Sequence, residues 1–152
     1  MTSVSKATFH TAVVACAQQR FDQARAEMIA AQESSNTDTK SSAGDKYETG
    51  RAMAQQERDR HARQLHEAQQ QLAAMQKINA QLPCATVRLG ALARTSLGLF
   101  YISIGAGKLI TAGGQEFMAV STNAPIALAL SGRGIGEEIT FNGRQVQVLA
   151  VS

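Results

Sequence analysis

The chain has 152 residues, which fits one large domain or two small ones. Its hydrophobic share of 44% is enough for a core, while its formal charge of +3 is too mild for the clustered basic face of a nucleic-acid binder. No secretory leader pattern opens it and no apolar run approaches about 18 residues, so a cytoplasmic protein without a membrane span is expected.

The two halves differ in composition. Residues 1–82 carry ten basic and nine acidic residues with many Ala and Gln, whereas residues 83–152 hold ten of the twelve Gly. The shift predicts a helical part over 1–82 and a turn-rich globular part over 83–152. Arg51, Arg58, Arg60 and Arg63 gather in the helical half but are interleaved with Glu57 and Asp59, as on a solvated helix face laced with ion pairs. Cys16 and Cys84 are too few for a disulfide framework and are expected as free thiols acting as small hydrophobes.

The first helix is predicted from near Ser5. Phe9, Val13, Ala17, Phe21, Ala24, Met28 and Ala31 recur at spacings of three and four and form one apolar stripe. The stripe dissolves in the polar stretch ESSNTDTKSSAGDKYETG, residues 33–50, where Ser, Thr and Asn side chains compete with helical backbone hydrogen bonds. This predicts an apex loop over 34–46 and a reversal of the chain. The second helix is predicted from Asp45 or Tyr47, with Asp45 and Glu48 at the spacing of a capping box.

Two seven-residue repeats then run Ala54, His61, Ala68, Met75, Leu82 and Arg58, Leu65, Leu72, Asn79, an a/d seam that Pro83 should end. The two stripes predict an antiparallel coiled-coil hairpin. Pairing Met28 with Ala54 places Phe21 opposite His61. The seam is polar and small near the apex and strengthens toward Leu65, Leu72 and Met75, as in a projecting rod anchored at its base.

After Pro83 the period changes to two. Strands are predicted at 86–89, 99–104, 108–111, 116–120, 138–141 and 146–151, with hairpin turns at Gly113-Gly114 and Asn142-Gly143. The stretch 124–130 reads as a short helix, with Pro125 in its first turn and Gly132 at its stop. The fold class is therefore α+β: a helical hairpin followed by a small antiparallel sheet with one short helix.

The segment NAPIALALSGRGIGEEITFNGRQVQVLAV, residues 123–151, resembles the C-terminal domain of the bacterial Gre transcript-cleavage factors. There a segment of the form S-P-[IL]-[GA]-x-A-L-x-G-x-x-x-G-[DE]-x-[IV] precedes a terminal hairpin. Pro125, Ile126, Ala129, Leu130, Gly132, Gly136, Glu137 and Ile139 match it. The motif covers about 30 residues, and the order of elements extends the likeness to the whole chain. The resemblance implies an FKBP-like globular domain that docks at the rim of the secondary channel of RNA polymerase, with the coiled coil reaching inward. It further implies two acidic apex residues that help hold a second Mg²⁺ at the polymerase's active site, where the ion activates water to cut backtracked RNA.

The apex departs from the family pattern, which resembles D-L-x-E-N-A-E-Y. Aligned on Tyr47 without gaps, its acidic positions become Lys40 and Ala43. Asp38, Asp45 and Glu48 are the nearest carboxylates and the candidates for a shared Mg²⁺, although Asp45 also fits a helix cap and Asp38 a solvated turn. No metal site or cofactor of the chain's own is expected: His61 and His66 lie five apart and do not share a helix face. Ile104-Gly-Ala-Gly-Lys108 lacks the first Gly and the Ser or Thr of a phosphate loop.

The expectation is a monomer that is not itself an enzyme, binds RNA polymerase, and meets nucleic acid only through it. Cleavage stimulation and competitive regulation remain the two forms of that reading. A coiled-coil adaptor unrelated to transcription is the alternative class.

Overall fold

The computed structural model describes residues 5–41 and 46–152. In chain order the elements are α1 (Lys6–Ser41), α2 (Lys46–Lys77), β1 (Leu92–Thr95), β2 (Gly98–Ser103), β3 (Gly107–Ile110), β4 (Glu116–Ser121), α3 (Pro125–Leu130), β5 (Glu138–Phe141) and β6 (Arg144–Val151). The class is α+β. Among the described residues no helix is long and apolar enough to cross a membrane. Two compact units form: Ala17–Leu72, and Met1–Cys16 together with Ala73–Ser152.

In the Ala17–Leu72 unit α1 and α2 pack along the expected stripes. Ala17, Ala24 and Ala68 are buried, while Phe21, Met28, Ala31, Ala54, Arg58, His61, Leu65 and Leu72 are half-buried. Two expectations are corrected. The loop predicted from residue 34 is helical as far as Ser41. Each Ser, Thr, Asn or Asp there costs only about 0.5 kcal/mol relative to Ala, and a helix already nucleated propagates through such small penalties.

The pairing is also displaced. Glu27, not Phe21, brings its side chain to His61, with Oε2 4.0 Å from Nδ1. That is nearly one heptad along α1, and a one-heptad slip returns every seam position to a seam position. The longer α1 and the slipped register are one change seen twice.

At the other end α2 stops at Lys77, well before Pro83. Asn79 ends it: its side-chain oxygen accepts the Gln81 N–H at 3.0 Å and its carbonyl accepts the Leu82 N–H at 3.2 Å. The last predicted seam residues, Asn79 and Leu82, are therefore exposed.

In the second unit the six strands form one sheet in the order β3-β4-β2-β1-β6-β5. It is mostly antiparallel, but β2 and β4 run parallel, which corrects the purely antiparallel expectation. Their connection, residues 104–115, contains β3, which hairpins onto β4 through the predicted Gly113-Gly114 turn. The β5–β6 hairpin closes through Asn142 (φ 52°) and Gly143 (φ 77°), the paired left-handed residues of a type I′ turn.

One local expectation fails and one strand was not foreseen. Residues 86–89 are not a strand: Thr86 makes one isolated bridge to Gly134, and Val87 bonds the turn after α3 through Arg133 O and Gly132 N. The strand pairing with β2 is instead β1, whose Ala and Arg are weak strand formers.

The sheet is buried on both faces around β2. On one face Phe100, Ile102, Val120, Val146 and Val148 meet Ile126, Ala127 and Leu130 of α3. The opposite face carries Tyr101, Phe117 and Ala119, and the first turns of α1 cover it: the Phe9 and Phe117 rings meet edge-to-face with centroids 5.0 Å apart.

Candidate functional site

The apex carboxylates come first. Asp38 lies in the backbone of α1 and Glu48 in the first turn of α2. Asp45, with its proposed cap, lies outside the described residues, as do the side chains of residues 34–49. The shared-Mg²⁺ expectation thus falls wholly on side chains outside the description.

The globular motif is described in full, and each member has a structural role. Pro125 opens α3, where its missing N–H leaves no helical bond unmade. Ile126 and Leu130 are buried in the core and Ala129 packs against it. Gly132 adopts φ 77° while donating its N–H to Val87 O at 2.9 Å. Gly136 donates to Val148 O at 2.8 Å. The Glu137 carboxylate accepts the Gly134 N–H and lies 3.9 Å from the Arg133 guanidinium. Ile139 is buried from β5. The motif therefore folds the turn between α3 and the terminal hairpin.

The phosphate-loop-like stretch is likewise structural. Gly107 begins β3, and Lys108 forms a cross-strand ion pair with Glu116 at 3.3 Å.

A polar cluster that the sequence reading did not single out lies within the sheet unit, between the start of α1, the 78–91 connection and β2. Lys6 is 9% exposed, and its Nζ donates to Leu82 O at 2.5 Å and lies 3.9 Å from Cys84 Sγ. Arg88 Nε donates to the same sulfur at 3.4 Å. His10 Nδ1 is 2.8 Å from the Tyr101 hydroxyl, and Tyr101 is fully buried.

Burial, with the Cys84 thiol adding to it, pushes the Tyr101 phenol up to about 12. Burial, and then the Lys6 charge, hold His10 below its ordinary value. The only trace of this cluster in the sequence is that Lys6 and His10 interrupt the stripe of Phe9 and Val13 on the same helical face.

In the hairpin unit a shallow polar groove runs beside the seam, bordered by Gln23, Ala24 and Glu27 of α1 and by Gln64, Glu67 and Ala68 of α2. In the same unit Arg58 Nε and His61 Nδ1 are buried without a hydrogen-bond partner. Comparison with protein-family models and with curated proteins yields no match.

Proposed function

We infer that this chain is a Gre-like factor, which binds bacterial RNA polymerase at its secondary channel and modulates transcription elongation without being an enzyme itself. The supporting observation is the order of elements combined with the C-terminal segment. A helical hairpin precedes a sheet whose core face is crossed by Pro125–Leu130 and whose last two strands, Glu138–Phe141 and Arg144–Val151, form a hairpin. In this reading the sheet and α3 correspond to the family's FKBP-like domain at the channel rim, and the helical hairpin is the part that enters.

Asp38, Asp45 and Glu48 are the carboxylates that would meet a Mg²⁺ shared with the polymerase, since oxygen ligands and water are what that ion accepts. Lys40 stands where the family pattern has an acid and would repel the ion. The form proposed is therefore regulation by occupying the channel rather than stimulation of cleavage.

The test has two steps. Purified chain is first passed over immobilised core RNA polymerase; retention with stoichiometric release by salt is expected, and no retention sinks the polymerase reading in favour of an unrelated coiled-coil adaptor. A backtracked complex with labelled RNA is then incubated with the chain. The expectation is no added cleavage and reduced cleavage by a competing family member. Robust cleavage that disappears in the Asp38→Asn, Asp45→Asn double variant overturns the regulatory form and assigns the carboxylates to the metal.

A further inference from the structure

We propose that His10 is a proton-operated latch that holds the first turns of α1 tightly on the sheet when neutral and loosens them when protonated. The argument starts from the Tyr101 hydroxyl. It is fully buried, and it meets His10 Nδ1 at 2.8 Å. With the imidazole neutral, the tautomer protonated on Nε2 is the one that gives the buried phenol proton an acceptor: Tyr101 donates and Nδ1 accepts.

Adding a proton to Nδ1 removes that acceptor. The imidazolium then donates toward the phenol oxygen, and the phenol proton is left buried with no partner, which is the costly case for a polar group. The phenol cannot escape by ionising, because burial opposes that charge. The new positive charge also arises one helical turn from the buried Lys6 ammonium.

No carboxylate among the described residues pairs with it, although the half-buried ring keeps some contact with solvent. Facing the site are Lys6 from α1, Tyr101 from β2, and the Cys84 thiol with the Arg88 guanidinium from the 78–91 connection. β4 contributes the apolar Phe117 against Phe9. Among the described residues no carboxylate is within ion-pair distance of His10. Phe9 on Phe117, the buried Val13 and Lys6 on Leu82 O also hold this stretch, so loss of the one bond weakens it locally without detaching it.

The experiment is amide hydrogen exchange on the full chain at about pH 8 and about pH 5.5, with rates converted to protection factors. The amides of residues 10–16 are expected to lose about tenfold in protection on acidification, the size of one buried hydrogen bond, while the β1, β2 and β6 amides keep theirs. In His10→Gln, whose amide oxygen can accept the phenol proton at any pH, protection at about pH 8 is retained and the acid response vanishes. Tyr101→Phe lowers protection of residues 10–16 at about pH 8 and flattens the pH dependence, which serves as the readout should the Gln variant fold poorly. An acid response that persists in either variant overturns the latch, as does equal loss of protection across sheet and helix in the wild type.

Discussion

The two compact units are specified in opposite ways. The hairpin unit repeats one small idea, an a/d seam of Ala, Leu and polar residues, and its two helices meet through interchangeable layers. The sheet unit has no repeat. Tyr101 meets His10, Phe117 meets Phe9, and Leu130 and Val148 share one core with unlike neighbours. A repeat fixes which face of a helix is buried but leaves the register to whatever closes the turn, whereas unlike contacts fix the register of every strand. The nearly one-heptad displacement of Glu27 against His61 is the direct consequence.

The largest expected effect comes from cutting between the two sequence halves. Expressed alone, residues 83–152 lose Phe9, Val13 and Met75, which are 2%, 0% and 0% exposed in the same compact unit as the sheet. Deleting side chains of this kind costs roughly 2–5 kcal/mol each, and the sum rivals the whole stability of a small domain. An amide spectrum of this fragment should be collapsed, and a fusion that restores residues 5–16 and 73–82 should disperse it. A well-dispersed spectrum from 83–152 alone would mean that the start of α1 is an accessory to the sheet rather than a part of its core.

Next in size is a matched pair of truncations. Leu130 is 0% exposed in the core under α3, so Leu130→Ala should cost roughly 2–5 kcal/mol in denaturant unfolding. Leu65→Ala removes the same atoms from a half-buried seam position and should cost about 1–2 kcal/mol. Equal losses would erase the contrast between the units.

These differences decide what was legible in the sequence. The stripe from Phe9 to Ala31 and the seam from Ala54 to Met75 were legible because each rests on a period and on nothing distant. The β5–β6 hairpin was legible because Asn142-Gly143 carries its own turn chemistry. The strand Leu92–Thr95 was not, because Leu-Ala-Arg-Thr has little strand preference and is held by β2 and β6 on either side.

Residues 86–89 misled for the converse reason: alternation was present, but the partner of Val87 is a turn about 45 residues further along the chain. The His10–Tyr101 pair was invisible because nothing local links two residues separated by 91 positions. Of the candidate site, the motif from Pro125 to Ile139 was legible as a fold signal. The roles of Asp38, Asp45 and Glu48 rest on the resemblance.

The third prediction concerns pH and draws on the His10–Tyr101 pair of the sheet unit. His10 is depressed below its ordinary value of 6.5, so the unfolded chain takes up the proton first. Its contribution is therefore complete above 6.5 and is lost as pH falls below that toward the folded value. Tyr101 is raised from 10.0 to about 12, so its contribution is complete below 10 and is lost as pH rises toward 12, by up to about 3 kcal/mol. Unfolding followed by Tyr101 fluorescence or absorbance should show a plateau bounded on both sides. Tyr101→Phe should remove most of the alkaline loss, and an unchanged alkaline limb would assign it to other groups.

The smallest effect should have the opposite sign. In the sheet unit every truncation of a buried side chain is expected to destabilise, because its partners are unique. In the hairpin seam His61 sits at an a/d position with Nδ1 buried, unbonded, and 4.0 Å from a Glu27 carboxylate that is 47% exposed. An ion pair this long and this open contributes within about 0.5 kcal/mol, so Glu27→Gln should be nearly silent.

Replacing the imidazole by an apolar group of similar size removes an unsatisfied polar atom and adds a seam contact. His61→Leu should therefore stabilise the hairpin by about 1 kcal/mol, read from helical ellipticity on heating. The same change should loosen alignment, because a polar residue in a seam penalises the registers that bury it against apolar layers. A cysteine pair placed across the observed register, at exposed positions beside Glu27 and His61, should cross-link efficiently in the parent and less selectively once His61→Leu is added. If His61→Leu instead destabilises by more than about 1 kcal/mol, the imidazole has a partner that the seam needs, and the hairpin is as individually specified as the sheet.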